Sequence, residues 1–407
     1  MTSPAVSAVP LATDIFSRAM VDMFDETDII GAPTGFQAFF GRPETGAKTL
    51  FSPDASVVEI DIMRGNEKIA ALVPRGTVSR PLNSPQLNTQ VEKFSSFSRR
   101  YPLAEEEGAV SASQLEFRVA GENPYEARPR LQRMRSLAVL QTKEHIRRLV
   151  RLFEVLAASS VISGKMPVDF ADLNKVFSWN RKSTHTFAPT TPWSTSTAPA
   201  MADLDTACRL IREDGHVNPD MAVFAADVMD AFLANEDVIA KADNRRFELI
   251  MINRDLPVPP RFARFVEGGF IPRGRLRTPE GYELWLFTYP EVYTDKAGDA
   301  SRYMEDGKAV IASSMARCDR YFGPPEILPN IPMRDQLYSQ LFGFSMDAPP
   351  MPPMIKDMAN AVNPAMFYHD AYPSDDWKRV TIRTQAAPIF ATTMTDAFVT
   401  LEDLIAT

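Results

Sequence analysis

The stretch PRLQRMRSLAVLQTKEHIRRLVRLFEVLAASSVISG, residues 129–164, decides how the rest of the chain is read. A proline opens it and a glycine closes it, the usual polarity of a helix, and neither type occurs between them. Good helix formers dominate it. At about 1.5 Å per residue it predicts a rod roughly 50 Å long. At 3.6 residues per turn, Leu131, Met134, Ala138, His145, Leu149, Leu152, Phe153 and Leu156 fall on one stripe. Arg130, Arg133, Lys143, Arg147, Arg148 and Arg151 fall largely on the other side. A rod apolar on one side and basic on the other is a scaffold element.

Working outward, the chain has 407 residues, more than one core usually holds, so two or more lobes are expected. Its 45% hydrophobic and 24% charged content is ordinary for a globular protein. A net charge of −8 argues against a protein that condenses nucleic acid. No apolar run reaches the ~20 residues of a membrane span, and the first thirty residues lack a signal-peptide pattern. With only Cys208 and Cys318, neither a disulfide framework nor a cysteine-rich zinc site is expected. The 33 prolines exceed the number average usage would give, which predicts many irregular surface connections.

Residues 1–54 read as an arm, with a short helix at Thr13 to Met23. In it Phe36, Phe39 and Phe40 are anchors that pack on the chain's own second lobe or on a neighbouring chain. Val58, Ile60 and Ile62 alternate with polar positions, the period of a half-buried strand, and Leu115, Phe117 and Val119 predict a matching one. The mixed, turn-rich sequence between them suggests a projecting two-stranded arm too poor in apolar residues to own a core. After the long helix, residues 168–199 read as an irregular linker. A helix is expected over Asp203 to Glu213, capped by Asp203. Met221 to Phe224 reads as a buried strand followed by a helix over Asp227 to Ala240. Tyr282 to Tyr289 is apolar on both faces and is placed centrally in a sheet. Lys308 to Ser313 is a second buried strand, and Arg379 to Thr384, Pro388 to Thr392 and Ala397 to Leu401 are three further short ones.

Reactive constellations are almost lacking. The sequence holds no P-loop, no GxGxxG after a strand, no GxSxG and no HExxH. His145, His185, His216 and His369 are scattered, and His145 reads as a packed helix residue. The triplet Glu105 to Glu107 reads as a solvated loop, with a cation or an arginine-rich neighbour as the alternative partner. Asp375 and Asp376 beside Trp377 read as a turn. No catalytic, cofactor-binding or metal-binding residue is assigned. The arginine face of the helix supports a solvated surface, a subunit contact or a nucleic-acid contact.

Five stretches, in order, resemble the lambda-type major capsid proteins of tailed bacteriophages, which have the Hong Kong 97 capsid fold. VVEIDIMRGNEKIAALVPRGTVSRPLN (57–83) is similar to that family's extended loop. Residues 123–166, from NPYEARPR to ISGKM, resemble its long spine helix. NPDMAVFAADVMDAFLANEDVIAKADNRR (218–246) looks like its buried strand and helix. Residues 278–323, from TPEGYELWLF to DRYFG, resemble its apical sheet, and residues 371–404 its C-terminal strands. Residues Pro324 to Asn363 read as an insertion relative to that pattern.

The resemblance implies an α+β chain with an N-terminal arm (1–54), an extended β-loop (55–120), a peripheral domain with the spine helix (121–202), an axial domain (203–364) and C-terminal strands returning to the peripheral domain (365–407). It implies a major capsid protein that assembles with itself into hexamers and pentamers of an icosahedral head around double-stranded DNA. A scaffolding protein, a portal protein and a decoration protein are the implied partners, with no cofactor and no membrane. The implied location is the virion, with assembly in the host cytoplasm. Arg64, Glu67, Lys68 and Arg75 in the loop, with Arg147 and Arg148 on the helix, are the expected inter-subunit contacts. Two rivals stand beside this reading. One is an encapsulin-like nanocompartment shell, and the other is a soluble two-lobe enzyme using Asp375, Asp376 and His369.

Overall fold

The long helix runs over Arg130–Ile162, 33 residues, so its ends fall within two residues of those set by the flanking Pro129 and Gly164. Gly164 stops it in the left-handed conformation at φ 65°, where a Cβ would also press on Arg181. The computed structural model describes residues 32–51, 57–63, 94–100, 102–111, 130–170, 173–242, 250–251, 258–294, 298–323, 367–373 and 379–406. The expected helix at Thr13 to Met23, the strand at Leu115 to Val119 and the Pro324 to Asn363 segment lie outside those residues.

The buried face of the helix carries Thr142, His145, Ile146, Leu149, Phe153, Leu156, Ala157 and Val161. It is rotated from the expected stripe, so that Leu152 is left partly exposed at 36%. Toward the C-terminal end the helix sinks further in, and Ala158, Ser160 and Ile162 are buried as well. His145 is a packed helix residue, with Nδ1 3.4 Å from the Thr384 hydroxyl. Burial lowers its pKa.

The main core is a seven-stranded sheet. Its order is Thr186–Phe187, Phe398–Leu401, Ala309–Ala312, Met221–Phe224, Glu283–Thr288, Ile271–Arg277 and Ile250–Met251. Met221–Phe224 and Ala309–Ala312 are buried at every position, which is why they read as continuous apolar runs. Glu283–Thr288 lies between two partners, in the central position its aromatic sequence predicts. The helix after Met221–Phe224 is broken in two, Ala226–Ala234 and Glu236–Ala242. Asn235 causes the break: its side-chain oxygen accepts from the backbone N–H groups of Asp237 (3.0 Å) and Val238 (3.4 Å), capping the second piece.

A second sheet joins Thr49–Phe51, Asp319–Phe322 and Pro388–Ala391, and a third joins Tyr368–Pro373, Arg379–Ala386 and Ala104–Ser111. Three two-stranded ribbons complete the structure: Val57–Met63 with Phe94–Arg100, Lys165–Phe170 with Leu173–Ser178, and Val292–Thr294 with Ala300–Arg302.

Several expectations are corrected. Val57–Met63 has the inward Ile60 and Ile62 that the alternation predicts, but its partner is Phe94–Arg100, within the region read as turn-rich. The serine- and arginine-rich FSSFSRR run hides that strand, because cross-strand pairing does not require an apolar alternation. The acidic triplet belongs to the strand Ala104–Ser111 rather than to a loop. Part of the supposed linker is the hairpin Lys165–Phe170/Leu173–Ser178. The helix expected from Asp203 begins at Ala200, and Asp203 accepts from Trp193 Nε1 (2.9 Å) instead of capping. That helix ends in a π-turn, Ile211–Gly215.

Candidate assembly surfaces and the seating of the spine helix

Three places determine how this subunit holds its shape and what it offers to another. The first is the seat of residues 35–51, the part of the N-terminal arm nearest the body. Phe36, Phe39 and Phe40 are all buried, and each meets a different part of the chain. Phe36 packs edge-on against Phe270 and Tyr289 (both 5.2 Å), Phe39 against Phe265 (4.6 Å) and Phe398 (5.5 Å), and Phe40 against Phe390 (5.2 Å). Of the two partners expected for these anchors, the chain's own body is the one used. Arg42, also buried, donates to the Ser314 carbonyl (2.6 Å), pairs with Glu44 (2.9 Å) and lies over the Phe265 ring. Thr49–Phe51 then pairs in parallel with Arg320–Phe322.

Gly35 opens this segment, and a Cβ there would lie 2.5 Å from Phe270 Cε1 and 2.8 Å from Tyr289 Cε2. Those rings are held by Phe36 and cannot swing aside freely. Gly35→Ala is therefore expected to lower stability by about 1–3 kcal/mol, read as the midpoint of urea unfolding. An unchanged midpoint would show that the seat is looser than drawn.

The second place is the buried carboxylate of Glu154, about two turns before the C-terminal end of the spine helix. It accepts from the backbone N–H groups of Phe36 (2.6 Å) and Gln37 (3.1 Å) and from the Tyr289 hydroxyl (2.8 Å). Gln37 also reaches the Val150 carbonyl with its side-chain amide (3.1 Å). Burial pushes the Glu154 pKa up to about 7, against the pull of those hydrogen bonds.

The third place is the C-terminal end of the helix, whose last carbonyls have no intrahelical donor. The half-buried Arg181 supplies it with its guanidinium, Nη1 2.7 Å from Ile162 O and Nη2 2.5 Å from Val161 O. Thr400 of the seven-stranded sheet donates its hydroxyl to Ile162 O, and Trp179 Nε1 donates to the Ser160 hydroxyl (3.3 Å). That hydroxyl in turn donates to Phe390 O (2.9 Å). Burial pushes the Arg181 pKa down to about 10, which still leaves it charged at neutral pH. A cation at this end also opposes the helix dipole.

The sequence-predicted contact residues divide in two. Arg64, Glu67, Lys68 and Arg75 lie outside the described residues. Arg147 and Arg148 sit on the outer face of the helix: Arg148 bridges Glu106 and Glu144 (both 3.4 Å), and Arg147 stands 4.0 Å from Glu144. Glu105 accepts from Gln385 (2.7 Å), with Arg383 4.0 Å away. The acidic triplet therefore has arginine neighbours, the alternative its sequence left open. Exposed apolar side chains flank this face at Leu140 and Leu152, and another is Val176 on the hairpin beyond the helix.

Glu154 and Arg181 were not singled out in the sequence. The signal for Glu154 is that it is the one acid between His145 and Gly164, set in an apolar run. Arg181 carries no local signal, because its partners lie in the helix end and in the last strand. Among the described residues, no three His, Cys, Asp or Glu side chains gather where a metal ion could be held. No helix among them is long and apolar enough to cross a membrane. Residues 375 and 376 lie outside the described set.

The long helix packs on the α+β body and carries polar pairs on its outer face, and the ribbon Val57–Met63/Phe94–Arg100 joins no third strand among the described residues. Residues 50–340 match the family described as phage major capsid protein E, and the chain belongs to that family. It is a phage major capsid protein with the Hong Kong 97-type fold, a structural component of the capsid. Of the two shell readings, the phage capsid is thus the one that stands.

Among solved structures, the chain is similar to the capsid protein of a prophage of Escherichia coli CFT073. That match has a TM-score of 0.61 and 14% identity, and it covers 95% of this chain and 98% of the other. The mature capsid of bacteriophage PhiM1 matches with a TM-score of 0.43 and 10% identity over 88% of this chain and 84% of the other. An encapsulin complex from Synechococcus elongatus matches at 0.37 and 7%, over 88% and 85%. No curated protein matches the sequence.

Proposed function

We propose that this subunit assembles with itself into hexamers and pentamers of an icosahedral head that encloses double-stranded DNA, and that it carries no catalytic activity. Assembly takes place in the host cytoplasm, with a scaffolding protein and a portal protein as partners and a decoration protein on the finished shell. DNA is held as non-specific content, in keeping with the net charge of −8. The working division is arm 1–54, extended loop 55–120, peripheral domain 121–202, axial domain 203–364 and returning strands 365–407.

One observation carries this reading. Val57–Met63 and Phe94–Arg100 form a ribbon that pairs with no third strand among the described residues, anchored to the body through Ile60 and Ile62. A two-stranded ribbon is marginal by itself, so an excursion built on one is completed by burial against another copy. Arg64, Glu67, Lys68 and Arg75 are the polar contacts assigned to it. Replacing residues 66–91 with a short Gly-Ser turn keeps both strands. It is expected to leave a folded subunit that forms no shells by negative-stain microscopy, and normal particles would overturn the reading.

Arg147 and Arg148 are assigned to the contact between subunits as well as to their internal pairs. Exposed pairs contribute about 0–1 kcal/mol each, so reversing both charges is expected to lower subunit stability by about 1 kcal/mol or less. Particle yield is expected to fall severely. A yield equal to wild type would restrict both residues to the internal pairs.

A further inference from the structure

Glu154 is where three separately built parts of the subunit meet on one carboxylate. The spine helix supplies the side chain, the N-terminal arm supplies two backbone donors, and the axial sheet supplies the Tyr289 hydroxyl. The side chain is fully buried, and no Lys, Arg or His among the described residues forms an ion pair with it. The anion therefore has hydrogen bonds but no countercharge, in a site lined by Phe36, Phe270 and tyrosine rings. We propose that Glu154 is a proton-controlled latch that sets how firmly residues 35–37 of the N-terminal arm are held to the spine helix and the axial sheet.

The groups facing Glu154 leave it as the one that titrates near neutrality. From the axial side come Tyr289 and Tyr303, both pushed far up, first by burial and then by Glu154 itself, so they remain protonated donors. The Tyr303 hydroxyl is buried and has no hydrogen-bond partner among the described residues, so a spare donor stands within electrostatic reach of the carboxylate. Arg151 and Glu291, of opposite sign, act on Tyr303 in opposite directions. The segment at 35–40 offers only backbone N–H groups and the Gln37 amide.

The pKa in the closed seat is raised to about 7 from 4.5. The closed seat thus binds the proton more tightly than the open one. Its stabilisation is complete below pH 4.5, declines as the pH rises toward 7, and is lost above that. Ionised, the carboxylate is relieved by water entering, which requires the segment to part from the helix. The Phe39 and Phe40 rings pack on Phe265 and Phe390 and do not depend on Glu154, so the opening is local to Phe36 and Gln37.

Amide hydrogen exchange of the intact chain tests this, with rates at Phe36 and Gln37 corrected for their intrinsic pH dependence. Opening is expected to increase more than about tenfold between pH 5 and pH 7.5 and then level off. Amides of Ala222 and Ile311, central in the sheet, serve as the unchanged reference. Glu154→Gln is expected to abolish the pH dependence at Phe36. Tyr289→Phe removes a donor that favours the anion, so the levelling-off should move to higher pH; this variant tests the latch even if Glu154→Gln folds poorly. Equal wild-type protection at pH 5 and 7.5, or an unmoved profile in Tyr289→Phe, would overturn the proposal.

Discussion

Arg181→Met is expected to destabilise the isolated subunit by about 2–4 kcal/mol, the largest effect of any single polar change. The methionine restores much of the apolar stem but leaves the Val161 and Ile162 carbonyls without their guanidinium donors, 2.5 and 2.7 Å away in the native chain. Each buried carbonyl left unmade costs about 1–3 kcal/mol, and Thr400 still serves Ile162, which caps the loss. The charge also faces the negative end of a 33-residue helix, and that interaction disappears. Arg181→Lys should recover only part, because one ammonium point does not match two carbonyls as a planar fork does. Urea unfolding followed by circular dichroism checks both variants. A Met variant within about 0.5 kcal/mol of wild type would mean that water or Thr400 satisfies the helix end unaided.

Phe39→Ala is expected to cost about 3–5 kcal/mol, the range for emptying an aromatic site in a close-packed core. Its ring contacts Phe265 on one side and Phe398 of the last strand on the other, joining parts of the chain far apart in sequence. Collapse around the cavity is restricted because Arg42 stacks on the same Phe265 ring. Leu50→Ala, at a side chain 42% exposed in the same region, should change stability by less than about 0.5 kcal/mol and serves as the control. Similar losses for the two would show that Phe39 is seated only loosely. A subunit lacking the Phe39 anchor should also assemble poorly, since this is where the arm seats on the body.

Much of the architecture was legible because it rests on local pattern. The spine helix is bounded by Pro129 and Gly164, and the two buried strands Met221–Phe224 and Ala309–Ala312 are short, continuous apolar runs. The strand of Phe94–Arg100 and the hairpin after the spine helix were hidden. Their residues are polar enough to read as loop, and they become strands by pairing with a distant or adjacent partner. The acidic triplet failed for the same reason, since Glu105 to Glu107 take strand conformation only beside Arg383 to Gln385. Leu152 was misplaced because periodicity fixes which residues share a face but not which way the body lies.

The amino-acid order by itself determined the elements whose cause is contained in a window of a turn or a strand: the long helix, the buried central strands, and the apolar anchors Phe36, Phe39 and Phe40. The ordered set of resemblances along the chain carried the family. Only the tertiary structure decided what those elements are tied to. The helix is held by Glu154 in its last third and by Arg181 at its end, through partners 19 to 135 residues away. Hydrogen bonds at such separations depend on which buried groups the fold leaves unpaired, and no local pattern encodes that.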